Sequence, residues 1–329
     1  MSDPIVTPER PLVVTPGPHL RVGDDTARIM WWVNAALVPT GAWGVFAFGP
    51  PALAVILGAV AGAVGAEALA NRAMRQRVTV TDGSAVCTGL LLALTLPPLV
   101  PWWAAMIGGV FAILLGKSIF GGLGYNLFNP AMIGRAFMMA SFPVAMTTGW
   151  SLPRAWFSRL DAVTTATPLG IMREQSVAAA IHSIGGVEGW FRLLMGLRPG
   201  SIGEVSVILV LVGGLVLLAR GIINLAAPLG VFVGLALITW SSGAAWLHLL
   251  SGGVWLGALF MATDYVTSPS TRRGQLVFGI LIGMLTGLIR MWGGYPEGIC
   301  FAILISNAAV PAIDMAFRPQ RIRTAGAPS

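Results

Sequence analysis

Charge is the scarcest property of this chain: 10% of its 329 residues are Asp, Glu, Lys or Arg, against roughly 25% in a soluble domain. With 56% hydrophobic residues and a mean hydropathy of +0.80, it cannot be an ordinary water-soluble globule, and lipid must be its main solvent. Cysteine is nearly absent. Cys87 and Cys300 both lie in apolar runs and no C-x-x-C occurs, so a protein-held iron–sulfur cluster or zinc site is not expected and the thiols read as buried and inert. His19, His182 and His248 show no ligand spacing, and no nucleophile with a base and an orienting partner emerges, which removes the hydrolases. The N-terminal stretch has no apolar core ahead of a small-residue cleavage site, so it reads as a cytoplasmic arm rather than a signal peptide. Basic residues outnumber acidic ones, 20 to 13, but they stand singly between apolar runs. They read as topology signals, not as a nucleic-acid footprint.

What the chain has in plenty is apolar length. A bilayer core of about 30 Å needs about 20 apolar residues per helix. Runs that meet or approach this lie at about 30–48, 52–70, 84–97, 101–119, 130–147, 203–219, 222–240, 244–262, 275–292 and 297–315. Tryptophans such as Trp102, Trp103, Trp240 and Trp255 fall at their ends and read as interfacial anchors. The positive-inside rule sets the orientation. Arg10, Arg21 and Arg28, then Arg72, Arg75 and Arg77, then Lys117, Arg220, Arg272 and Arg273, and finally Arg318, Arg321 and Arg323 all fall on one side, whereas the loops "FGPPA", "PPLVPW" and "SSGAA" carry no basic residue. Both termini are therefore expected in the cytoplasm and the insert 148–201 outside. That insert holds Arg154, Arg159, Arg173, Arg192 and Arg198, but so long a loop weighs little in the rule.

The halves echo each other. "LTLPP" at 94–98, an apolar span and "GGLGYNLFNPAMI" at 121–133 are matched by "VTSP" at 266–269, an apolar span and "GGYPEGICFAIL" at 293–304. Five helices per half is an odd number, so the second half would enter the membrane the other way up. The expected fold is an all-α polytopic membrane protein of about ten transmembrane helices in two inverted five-helix repeats with interrupted helices, whose broken backbone lines an enclosed site. The third span is short, begins at "TDGS" and stops at a double proline, as a half-helix would; the eighth breaks at "MATDYVTSP". The corresponding divisions are an arm at 1–28, a first repeat at 29–147, the outer loop at 148–201, a second repeat at 202–316 and a tail at 317–329.

Few residues could carry chemistry. "GGLGYN" is not a nucleotide loop, since no strand precedes it and no soluble βαβ unit surrounds it. Asn126 and Asn129 in "GYNLFNP" allow two readings: amides contacting a polar ring system, or caps ahead of Pro130. Of the charges in or beside spans, Glu67, Lys117, Arg135, Glu204 and Asp314 lie near predicted ends, where snorkelling would explain them. Asp264 sits at the second helix break, where it could bind an ion or proton or serve as an interfacial cap. In "DAVTTATPLG", Thr167 precedes Pro168 and is held extended, with small neighbours that leave its hydroxyl accessible.

The segments "PGPHLR", "ARIMWWV", "TDGSAVCTGLLLALTLPP", "GYNLFNPAMIGRAF", "DAVTTATPLG", "GSIGE", "FMATDYVTSP", "GGYPEG" and "SNAAVPAIDMAFRP" together resemble the D subunit of the Rnf complex and its relative, the B subunit of the sodium-translocating NADH:quinone oxidoreductase. They span nearly the whole chain in that family's order, and the short arm and threonine motif look more like the Rnf subunit. The resemblance implies FMN joined through its phosphate to a threonine by a flavin transferase. The family motif places an acid at Asp161, the Ser/Thr position at Thr164, the small position at Thr165, the alanine at Ala166 and the acceptor at Thr167. The small position is often glycine; Thr165 departs from that and leaves Thr164 or Thr165 as second choices for the acceptor. The resemblance also implies a non-covalent riboflavin with Asn126 and Asn129 as contacts.

By that resemblance the chain is expected to be one subunit of a translocase-type oxidoreductase, not catalytic alone, in a bacterial inner membrane. Electrons exchanged between ferredoxin and NAD by partner subunits, iron–sulfur proteins and a second covalent flavin subunit among them, would pass through its flavins, coupled to movement of Na+ or H+, with Asp264 the candidate coupling residue. Nothing in the chain's own side chains carries electrons, so a redox role demands a cofactor, and a covalent tether keeps it from being lost by dilution. The rivals are a small-solute channel or transporter, which the inverted repeat would suit equally but which leaves the threonine loop unexplained, and a structural scaffold.

Overall fold

Inside a bilayer every backbone N–H and C=O must find its partner within the protein, and apolar runs of this length meet that demand as helices. The computed structural model describes residues 25–75, 79–153, 166–185, 189–196, 198–204, 206–295 and 297–317, and among them it is helical with no β-strand. Four helices are long and apolar enough to cross a membrane: α1 (Thr26–Phe48), α2 (Pro50–Ala73), α14 (Arg272–Trp292) and α15 (Ile299–Ala316). Shorter apolar helices fill the sequence between them: α3 (Ser84–Thr95), α4 (Trp102–Ile113, prolonged by a wide π turn, Leu114–Ser118), α10 (Val207–Ala219) and α11 (Ala226–Thr239).

Two of the expected spans are broken. The run at 130–147 splits into α5 (Pro130–Ser141) and α6 (Pro143–Thr148), because the residue before a proline is pushed out of the helical region and Phe142 accordingly has φ −128° and ψ 52°. The eighth run ends at Met261, where the expected break "MATDYVTSP" begins, and has a further break ahead of it: α12 (Ala245–Leu250) ends before Ser251–Gly253, and α13 (Val254–Leu256) continues as a second π turn, Gly257–Met261. Gly252 and Gly253 have φ of +75° and +68° there, a conformation in which a side chain is strained. Among its described residues the insert 148–201 contributes three short helices, α7 (Pro168–Glu174), α8 (Val177–Ser183) and α9 (Gly189–Met195).

Lipid tails are as apolar as leucine, so helices here associate through close packing of small residues rather than through a hydrophobic driving force. The most extensive helix pairings among the described residues are α2 on α4 and α11 on α14. In the second pair Gly230 and Gly234 face Gly279 and Gly283, and a Cβ on Gly283 would stand 2.6 Å from the Leu235 backbone nitrogen and closer still to the Val231 carbonyl oxygen. Neither can yield without separating the helices. Gly283→Ala is therefore expected to cost about 1–3 kcal/mol, the usual penalty of overpacking, read as a lower melting temperature in detergent; an unchanged value would mean the helices are not in register as described.

The buried charges overturn one expectation. Glu67, Lys117, Arg135 and Glu204 do not snorkel: they are 2%, 3%, 4% and 9% exposed and pair inside the protein. Trp102, Trp103 and Trp240 do face outward, whereas Trp255 packs on Phe232 with ring centroids 4.5 Å apart.

Candidate functional site

Three polar assemblies interrupt the apolar interior. The first surrounds the start of α3. Gly83, at φ +78°, turns the chain into the helix, and Asn34 Nδ2 holds its carbonyl at 2.9 Å. Asp82 Oδ1 accepts from the Ser84 amide at 2.8 Å and from its hydroxyl at 2.5 Å. Lys117, carried inward by the π turn of α4, donates to Ser84 Oγ at 2.6 Å and to Glu67 Oε1 at 2.8 Å, and Thr79 Oγ1 donates to the same carboxylate oxygen at 2.6 Å. Such a pair is tolerated because its hydrogen bonds are nearly complete; Glu67 Oε2 is the exception, without a partner among the described residues.

This network walls a cavity of about 680 Å³ lined by Thr26, Met30, Glu67, Asp82, Lys117 and Tyr265 among others. A narrower recess of about 80 Å³ shares Met30, Lys117 and Tyr265 with it and reaches Asn126, Asn129 and Asp264. The structure thus brings together three of the residues singled out from the sequence. Asn129 serves as a cap: its Oδ1 accepts from the Ala131 and Met132 amides at 3.1 and 3.3 Å, and its Nδ2 donates to the Met261 carbonyl at 3.4 Å. Asn126 is more loosely held, by one 3.4 Å bond to the Phe128 carbonyl. Asp264 is half-buried and accepts from Thr267 Oγ1 at 3.0 Å.

The second assembly is the threonine segment. Thr167 has the extended backbone expected before a proline, φ −68° and ψ 154°, and caps α7 by accepting from the Gly170 amide at 3.2 Å. It is 9% exposed, so Thr167 is buried rather than accessible as expected, its oxygen turned to the helix it caps, while Ala166 beside it is open. Asp161, Thr164 and Thr165 lie outside the described residues. Thr167 lines neither the cavity nor the recess, so the two sets of expected cofactor contacts form separate sites. α7 is seated by apolar contacts in which Ile171 and Met172 pack on a cluster of Ala180, Ile184, Leu193, Ala244 and Leu247, which joins the insert to α12.

The third assembly includes Arg290 and Glu297, neither of which the sequence singles out. Arg290, from the last turn of α14, donates to four main-chain carbonyls: His248 at 2.5 Å, Ser251 at 2.9 Å, Gly252 at 3.2 Å and Glu297 at 2.8 Å. It thereby satisfies the end of α12, whose last carbonyls have no partner within the helix. Arg198 pairs with Glu204 at 2.9 Å and donates to Ser251 Oγ at 2.5 Å and the Leu250 carbonyl at 2.8 Å. Burial pushes the Arg198 guanidinium below its ordinary value, opposed by the Glu204 carboxylate. Glu204 also accepts from the Gly252 amide, and Arg135 joins the Glu297 carboxylate to the Thr95 carbonyl at the end of α3. A signal for Arg290 does exist in the sequence: a basic residue stands just ahead of the glycine pair in each half, Lys117 four residues before Gly121 and Arg290 three before Gly293.

Comparison with known proteins gives a consistent picture. The model of the NQR2, RnfD, RnfE family matches residues 13–323. The D subunit of a proton-translocating ferredoxin:NAD(+) oxidoreductase complex from Clostridium ljungdahlii is 44% identical over 320 residues, covering 94% of this chain and 96% of that protein. The D subunit of a Na(+)-translocating ferredoxin:NAD(+) oxidoreductase complex from Acetobacterium woodii is 41% identical over 315 residues, covering 94% and 95%. The D subunit of an ion-translocating oxidoreductase complex from Stutzerimonas stutzeri is 42% identical over 327 residues, covering 89% and 91%.

Proposed function

This chain belongs to the NQR2, RnfD, RnfE family, and from that premise we propose that it is the D-type membrane subunit of an ion-translocating ferredoxin:NAD oxidoreductase, carrying electrons through FMN esterified to Thr167. The observation that carries the reading is the near-complete coverage at 37–44% identity to the D subunits of such complexes. FMN supplies the electron-carrying chemistry that no side chain here can provide. Thr167 suits an attachment point: its hydroxyl stands at the head of a short helix held against α12, and Ala166 beside it is open for a flavin transferase to approach.

A second flavin, riboflavin, is assigned to the cavity at the other polar assembly. A volume of about 680 Å³ falls within the roughly 300–1,000 Å³ of small-molecule sites, and the adjoining recess of about 80 Å³ carries Asn126, which has one N–H and its oxygen to offer a polar ring edge. Asn129 acts there as a positioning residue, fixing the start of α5. Asp264, at the rim of the same recess, is the candidate for coupling to Na+ or H+. The scaffold is two five-helix repeats of opposite orientation, with both termini cytoplasmic and 148–201 outside. The matched pairings of α2 with α4 and α11 with α14, the interruptions at α3 and α12–α13, and a buried basic residue ahead of the glycine pair in each half all favour it. Iron–sulfur subunits and a second covalent flavin subunit are the expected electron partners.

The test is the mass of the denatured chain. Purified from its own transferase-competent cells, it should exceed the bare sequence by one FMN ester and fluoresce in a denaturing gel, and the non-covalent flavin should be released on denaturation. A mass equal to the bare sequence would instead leave the transporter and scaffold readings standing.

A further inference from the structure

We infer that the buried cluster of Arg135, Arg198, Arg290, Glu204 and Glu297 positions the flavin-bearing helix α7 on the break between α12 and α13 and, through its net positive charge, raises the reduction potential of the flavin held at Thr167. The inference rests on the FMN assignment above and goes beyond it by naming what tunes that group.

The mechanical part follows from one glycine. A Cβ on Gly252 would stand 2.7 Å from Leu169 Cδ1 and would run into the Arg290 guanidinium. Leu169, two residues after Thr167, therefore rests on the peptide where the cluster's two signs meet: the Gly252 amide donates to Glu204, and its carbonyl accepts from Arg290 at 3.2 Å. Arg198, from the end of the same insert, grips the two residues just before, through the Leu250 carbonyl and Ser251 Oγ. Leu169 from the middle of the insert and Arg198 from its end thus converge on residues 250–252. Any shift in that break must move α7.

The electrostatic part follows from the charge count. Three arginines and two glutamates leave a formal +1 (3 − 2), and all five are held within the protein. Arg290 spends its hydrogen bonds on carbonyls, which satisfy its donors without cancelling its charge. Away from bulk water a charge is felt further and is screened less by salt. Reduction adds electrons to the flavin ring, so a net cation nearby favours the reduced form. Removing a positive charge must lower the potential, and removing a negative one must raise it.

Arg198 and Glu204 separate this from a merely structural role, because they are the two halves of one ion pair and a packing defect would not give opposite signs. The experiment is a potentiometric titration of the purified complex, following the absorbance of the covalent flavin. Arg198→Gln should shift its midpoint to more negative values, Glu204→Gln should shift it to more positive values, and Arg198→Lys should return it close to wild type. If Arg198→Gln does not assemble, the sign for Glu204→Gln decides alone. Midpoints that stay put, or both move the same way, while the fluorescent band survives in the denatured chain would overturn the inference and leave the FMN assignment intact. A wild-type chain with no covalent flavin would overturn the assignment itself.

Discussion

Thr167→Ala is expected to abolish the fluorescent band of the denatured chain and with it nearly all electron transfer through the complex, while the protein still assembles. The substitution removes one hydroxyl, the oxygen to which the phosphate would be esterified. Its structural cost is modest. The same oxygen caps α7 through the Gly170 amide, and losing such a cap costs about 1 kcal/mol, far less than would unseat a helix held by Ile171 and Met172 against the cluster on α12. Thr167→Ser keeps both the nucleophilic oxygen and the cap, and should retain the band. Thr164→Ala and Thr165→Ala should retain it too. A band that survives in Thr167→Ala and vanishes in either neighbour moves the attachment point upstream and would require the family motif to be read in a different register.

How much of this could be read from the residues alone differs between the scaffold and the site. Helix length and apolarity foretold α1, α2, α14 and α15, and a double proline foretold where α3 stops, since Pro97 and Pro98 cannot continue it. Asn129 as a cap before Pro130 followed from local chemistry that needs no tertiary knowledge. The broken run at 130–147 was legible in principle, because Pro143 forbids helix at Phe142, but apolarity concealed it. The buried charges were not legible. Whether a charged residue near a span end snorkels or pairs depends on what the fold brings to it, and the partners are remote: Glu67 and Lys117 are 50 residues apart, Arg135 and Glu297 are 162. Thr167 is a third case. Its local conformation was predictable, and the role proposed for its hydroxyl comes from likeness to a family alone.

The other large effect concerns the ion pair in the wall of the cavity. Lys117→Met should destabilise the protein by about 3–5 kcal/mol, because breaking a buried ion pair from one side leaves an uncompensated charge. Glu67 is 2% exposed and its Oε2 already lacks a partner among the described residues, so after the substitution the Thr79 hydroxyl would be left to hold a buried carboxylate. Methionine matches the length of the lysine stem and fills the π turn, which keeps the loss electrostatic rather than a cavity. Adding Glu67→Gln should restore most of the stability, since a neutral amide no longer demands a cation, and the double variant should fall well short of the sum of the single losses. Thermal unfolding of the four proteins in detergent measures this coupling; additive losses would show that Lys117 and Glu67 do not meet. The same cycle separates stability from cofactor binding. Lys117 also holds Ser84 at the head of α3, so if the cavity houses the non-covalent flavin, the double variant should fold and yet bind it more weakly, having lost the tie that fixes one wall.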